Sequence, residues 1–366
     1  MSASLPRLHR AKRSTERRAR QPERLRRIVA GGILALATLV GRIRPAGACD
    51  ICAVYIATEV AEGRTGLRLG VAEQYSRFDR LLDDGDALST GAGEYIHSSI
   101  TQFLLGWQIT DRVGVQLALP FISRVYRRVE DGDRIVHGDA TGLGDMTLIG
   151  NVLAYSRVTD ASVLRFSVLG GIKLPTGDPD LLAEERGEPA SALPAARALR
   201  GETHHDVGPS HHEPGAIPSG VHGHDLALGS GSFDGIVGAL GYWDHGRVFA
   251  TAGVQYAIRT EGAFDYRYAD DLTWTGGPGW YALLEHEYTL GLQVLLTGET
   301  KGKDTQQGRT LDDTALTALF VGPGVAFTWG TSLGADLALD LPVVQHVTAV
   351  QIVPSFRLRG GLTWRF

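Results

Sequence analysis

Residues able to do chemistry gather at a few places in this sequence. Cys49 and Cys52, the only two cysteines, form a Cys-Asp-Ile-Cys step. Such a pair closes a local disulfide in an oxidising compartment or offers two thiolates to a metal or partner. A c-type haem site is excluded, because Ala53 stands where the histidine would be. Acylation of Cys49 is a third alternative, with Ala46 where such signals prefer leucine. His204, His205, His211, His212, His222 and His224 make up half of the twelve histidines and lie among Asp206, Glu213 and Asp225. Imidazoles among carboxylates can hold zinc, copper or nickel. Their spacing fixes no coordination motif, and Pro209, Pro214 and Pro218 predict a mobile, solvated loop, with weak metal capture as the alternative.

His97 and Ser99 are two residues apart, which places both on one face of a strand. The step resembles the catalytic pair of lipid A deacylases and implies lipid modification as a minor alternative function. A nucleophilic serine needs a base in hydrogen-bond reach and a third group to orient it. Glu94 is nearby, but no further motif supports the assignment, and no Gly-x-Ser-x-Gly elbow or phosphate loop occurs. The chain is therefore read as a non-enzyme without catalytic residues.

The elements that must position these residues are strands. Over Phe356 to Phe366, Phe356, Leu358, Leu362, Trp364 and Phe366 fall on one face, and Arg357, Arg359, Thr363 and Arg365 on the other. A transmembrane barrel turns such an apolar face to lipid and the arginines to a wet interior. Leu362, Trp364 and Phe366 also resemble the carboxy-terminal strand by which bacterial outer-membrane barrels are recognised for assembly. The alternation recurs. Leu67, Leu69 and Val71 share a face, as do Phe103, Leu105, Trp107 and Ile109, then Val113, Val115, Leu117 and Leu119, then Met146, Leu148, Val152 and Ala154. Further stretches near 162–174, 229–242, 247–260, 278–288, 289–300, 314–328, 331–341 and 351–366 bring the count to about twelve. Connections two–three, four–five, six–seven and ten–eleven are short. Connections one–two, three–four, five–six, seven–eight, nine–ten and eleven–twelve read as long, the longest being the His-rich loop 175–225. Sorting of this kind is the outer-membrane pattern, with short turns in the periplasm and long loops outside.

Composition agrees. No apolar run reaches about 18 residues, the length a spanning helix needs, and 47 glycines suit curved strands. Residues 1–48 join an arginine-rich stretch, an apolar core from Ile28 to Val40 and Ala46-Gly47-Ala48, the make-up of a cleaved signal peptide. Cleavage would remove twelve of 36 basic residues but only Glu16 and Glu23 of 41 acidic ones, leaving 24 against 39. An acidic exported β-protein is a poor nucleic-acid binder. The expected organisation is a signal peptide (1–48), a periplasmic Cys-x-x-Cys segment (49–62) and an all-β, antiparallel transmembrane barrel (63–366) in the outer membrane of a Gram-negative bacterium. Its expected partners are outer-membrane lipid, the barrel assembly machinery and a small-molecule substrate.

Gly142-Leu-Gly-Asp145, Gly170-Gly-Ile-Lys-Leu-Pro-Thr-Gly-Asp178 and Leu228-Gly-Ser-Gly-Ser-Phe-Asp234 are similar, in that order, to motifs of the outer-membrane channel family named for the meta pathway of phenol degradation. The resemblance covers roughly residues 64–366. It implies a barrel that passes small molecules, apolar ones among the candidates, and passive diffusion is the expected mechanism; the Cys-x-x-Cys start and the His-rich loop depart from the pattern. Gln102, Gln116, Asp145, Thr147, Asn151, Arg357, Arg359 and Arg365 are expected to line the lumen, with Asp145 pairing Arg357 or Arg359. The alternative function is a metal-binding surface barrel built around the loop histidines; no resident cofactor is expected beyond that metal.

Overall fold

The computed structural model describes residues 65–89, 92–130, 134–186 and 219–366. Residues 1–64, with the expected signal peptide, Cys49 and Cys52, lie outside them, as do His204, His205, His211 and His212. Twelve antiparallel strands form a closed barrel: β1 (Gly66–Asp83), β2 (Tyr95–Gln108), β3 (Val113–Glu130), β4 (Thr147–Thr159), β5 (Ser162–Lys173), β6 (Asp234–His245), β7 (Val248–Ile258), β8 (Asp271–Leu284), β9 (Tyr288–Lys301), β10 (Leu316–Trp329), β11 (Leu333–Val347) and β12 (Val350–Arg365). Each pairs with its neighbours in sequence, and β12 returns to β1 from Arg68↔Arg365 to Asp83↔Val350. Closure leaves the wall no free edge, which lipid would not tolerate. Among the described residues no helix is long and apolar enough to cross a membrane.

Alternation sets the two faces. Leu67, Leu69, Phe103, Leu105, Trp107, Leu148, Val152, Leu292, Val294, Leu362 and Trp364 are exposed outward, while the residues between them are covered. The short turns Thr110–Arg112, Asp160-Ala161, Gly246-Arg247, Glu285–Glu287 and Gly330–Ser332 share one end of the barrel with Gly66 and Arg365. By the outer-membrane rule that end is periplasmic.

Two expectations change. Strand eight begins at Asp271 rather than 278, because Gly276-Gly277-Pro278-Gly279 sits inside a strand instead of a turn. Its ladder to β9 skips from Gly276↔Leu296 to Gly279↔Gln293, so the proline sits where no ladder bond to β9 is required. Gly277, at φ 157°, has no room for a Cβ against the Val294 carbonyl. The connection between β11 and β12 is not long but two residues, Thr348-Ala349, so loop length does not sort fully by parity. The ladder between these two strands runs only from Leu333↔Trp364 to Asp340↔Arg357. Beyond it β11 stays with β10 and β12 with β1. On the long-loop side β3 also carries a hairpin arm: Arg134–Leu143 pairs with Phe121–Glu130, while β4 pairs with Val113–Ala118 below.

Candidate functional site

The three glycine-rich motifs meet at one place, the inner wall at the loop end of β4 to β8. Lys173 closes β5 directly across from Asp234 on β6. Its Nζ lies 2.7 Å from Asp145 Oδ2 and 2.8 Å from Asp234 Oδ2. Arg259 extends the chain of charge, 2.8 Å from Asp234 and 2.6 Å from Asp271. The remaining lone pairs are satisfied locally. Gly177 N–H donates to Asp145 Oδ1 at 2.9 Å, Ser230 N–H to Asp145 Oδ2 at 3.0 Å, and Ser232 Oγ to Asp234 Oδ1 at 2.9 Å. The glycines permit this convergence: a Cβ on Gly177 would lie 2.5 Å from Leu228 O and 2.9 Å from Gly144 C, and one on Gly229 would meet Gly177. Asp145 thus pairs with Lys173, not with Arg357 or Arg359 as expected. It sits just before β4, three strands removed from β12, whose arginines find acids on nearer walls. Arg357 makes a two-pronged pair with Glu299 of β9, its guanidinium 4.5 Å over the Phe320 ring. Arg359 reaches Asp340 of β11 at 2.9 Å and Thr297 at 3.2 Å.

The mouth at the same end is filled by the chain itself. The described ends of the β5–β6 connection fold inward, so the expectation of a solvated loop fails for them. The turn Asp180–Arg186 and the short helix Gly223–Leu226 bring Leu182, Leu226, Ala227 and Leu228 into full burial. Leu226 and Val221 pack with Leu81, Ile96, Tyr126 and Ile352 of the wall, and Leu228 with Ile100, Ile122 and Ala140. Polar ties fix this plug. Buried Arg124 of β3 donates to the Ala227 carbonyl at 2.8 Å, and Arg128 pairs with Glu184 at 2.7 Å. Glu94 accepts from Ser219 Oγ at 2.6 Å. Ile352 N–H donates to the Gly220 carbonyl at 3.0 Å, where a Cβ on Gly220 would strike Leu81.

Below the plug the lumen is hollow. A cavity of about 190 Å³ is lined by Gln74, Gln255, Glu299, Asp340, Arg357 and Arg359 among others. A second of about 310 Å³, nearer the periplasmic end, is lined by Arg165, Tyr242, Asp244, Thr289 and Arg365. Thr251, Gln293, Ala326 and Asp336 border both, so the two adjoin. Gln102 and Thr147 are buried on the inner face, and Gln116 and Asn151 share it lower down on β3 and β4. Lys173, Arg259, Glu299, Asp340 and Gln293 were not named from the sequence. Lys173 was readable there, standing inside its motif; the others follow only from register.

His222 and His224 meet within the plug, their rings stacked at 5.3 Å. Glu185 accepts from His224 Nδ1 at 2.9 Å. Burial disfavours a charged imidazole, but Asp225, Glu185 and Asp304 outweigh it and hold His224 up to about 10. Burial likewise works against Glu185, yet His224 keeps it down at about 2.

On the lipid-facing side His97 and Ser99 share a face with Phe103, Leu105 and Trp107. Ser99 Oγ donates to Glu73 Oε1 and Thr101 Oγ1 to Glu73 Oε2, both at 2.5 Å. The His97 ring packs instead against Tyr95 at 4.8 Å and Tyr75 at 6.3 Å. Serine and histidine are not assembled as nucleophile and base.

No protein-family model matches this sequence, and no curated protein does. Among solved structures, an outer membrane channel from Pseudomonas putida F1 is similar with a TM-score of 0.51 at 15% identity, covering 86% of this chain and 100% of that one. The beta domain of the Bordetella autotransporter BrkA gives 0.41 at 10% identity, covering 83% and 100%. The first likeness supports the fold. With a closed twelve-strand wall, an apolar outer band and short turns at one end, the chain is an outer-membrane β-barrel, a protein of the outer membrane of a Gram-negative bacterium.

Proposed function

We propose that this barrel is a channel that lets small molecules, apolar ones included, cross the outer membrane by passive diffusion. The observation that carries the reading is the pair of adjoining cavities inside a closed wall. Twelve strands lie between the eight that fill their own interior and the sixteen that leave a wide pore, so a narrow passage suits the geometry. The charges along it are paired wall to wall, Arg357 with Glu299 and Arg359 with Asp340, which leaves the lumen polar without a strong field of one sign. The channel role of the Pseudomonas putida F1 protein, which shares the fold, and the motif resemblance to phenol-pathway channels point the same way. The plug sets the upper limit on size.

Purified full-length protein in planar bilayers tests this. Small, stepwise conductance is expected, growing when Arg124→Ala loosens the plug. Folded protein that conducts in neither form and admits no small solute into liposomes would remove the channel reading.

A further inference from the structure

The channel reading makes no use of the histidine pair in the plug. We propose that His222, His224 and Asp225 bind a divalent transition metal of the zinc class, with Glu185 and Asp313 orienting the imidazoles, and that the ion fastens the plug to the mouth. One ligand atom from each of the three lies within 4.8 Å of the others. The nitrogens that face Asp225 are His222 Nδ1, 3.7 Å from Oδ2, and His224 Nε2, 3.6 Å from Oδ1. These gaps are too long for hydrogen bonds. They are close to the separation of two ligands on one tetrahedral ion, roughly 3.3 Å for metal–ligand bonds of about 2.0–2.1 Å. His222 Nδ1 is buried and has no hydrogen-bond partner among the described residues.

The opposite nitrogen of each ring faces a carboxylate. His224 Nδ1 is 2.9 Å from Glu185 Oε1, and His222 Nε2 is 3.4 Å from Asp313 Oδ2. Carboxylates behind the rings are what fix the tautomer and direction of metal-binding histidines. Three acids around two imidazoles also call for positive charge, which a divalent ion supplies as it displaces protons. The donor set, two nitrogens and a carboxylate, suits zinc and leaves a fourth position for water. The three ligands lie together at His222 and on the helix Gly223–Leu226, while the orienting carboxylates come from the turn Asp180–Arg186 and the turn Asp312–Thr314 before β10. Through those carboxylates the ion would draw the other two loop segments to the plug.

The test is calorimetric titration of zinc into full-length, EDTA-stripped protein folded in detergent, with heat-modifiable gel mobility reporting a folded barrel in every variant. Wild type should bind one equivalent at this site and melt at a higher temperature with zinc than without. The double variant His222→Ala/His224→Ala should lose that equivalent. Asp225→Asn, less disruptive to packing, should weaken it at least tenfold. Glu185→Gln should cost about 10–100-fold in affinity without changing stoichiometry. Substituting His204, His205, His211 and His212 together by alanine should leave the equivalent in place. Retained wild-type affinity in a folded double variant, loss of binding in the quadruple variant, or no binding by wild type overturns the site, whatever the conductance of the barrel.

Discussion

The two ends of this barrel are made from the same strands yet treat their interior in opposite ways. Toward the periplasmic end the lining includes polar groups such as Thr251, Gln293 and Thr289, and it leaves open space. At the loop end, beside the charged network, Leu81, Ile96, Ile100, Ile122 and Tyr126 turn inward, and the chain supplies Val221, Leu226 and Leu228 to cover them. An apolar inner face is stable only if something apolar meets it. The apolar inward cluster thus marks the part of the lumen that the chain itself fills.

Four substitutions would break or sharpen that contrast, in descending order of expected effect. Lys173→Ala strips Asp145 and Asp234 of their shared cation inside the wall; leaving buried charges unpaired should cost about 3–5 kcal/mol. Urea unfolding of the folded barrel reads the loss, and wild-type stability would show that water reaches the network. Leu362→Arg puts a charge on the lipid face near the open half and should cost about 2–4 kcal/mol at mid-bilayer depth. Its yield of heat-modifiable barrel should fall well below that of Arg359→Glu. Arg124→Ala removes a charged donor from the Ala227 carbonyl, worth about 1.5–3 kcal/mol. Protection of the plug backbone against hydrogen exchange should fall while that of β8 and β9 stays as it was. Arg359→Glu should leave the barrel folded and move the reversal potential toward cation preference, because it places a third acid beside Asp340 and Glu299. If Leu362→Arg and Arg359→Glu harmed folding equally, the strand would be buried on both sides and the barrel reading would fall.

Much of the wall was legible from period-two alternation, which survives wherever one face meets lipid. It failed where pairing departs from the ideal ladder. Val343 and Val344 are both exposed, beside a register shift opposite Leu319/Phe320, so the outer half of β11 lost its pattern and its connection to β12 read as a loop. Gly276-Gly277-Pro278 imitated a turn inside β8. The motif positions were legible as a group, but their purpose was not. Asp145 and Lys173 meet only because β4 and β5 are neighbours and Asp145 reaches up past Thr147. The plug was hidden because Leu226-Ala227-Leu228 is a brief apolar run in a stretch otherwise rich in histidine, proline and glycine.

Gly220 lies where the first and last strands join: its carbonyl holds Ile352 of β12, and its missing side chain leaves room for Leu81 of β1, the residue paired with Ile352. The backbone ladder between β11 and β12 stops at Asp340↔Arg357, so this contact reaches a stretch of strand whose ladder in the wall is with β1 alone. The seating of the plug therefore depends on the register of that seam. A cylinder sealed one residue out of step would offer it a side chain of the wrong facing, and the stopper would not seat. Stoppering the mouth thus presupposes a final seam in register.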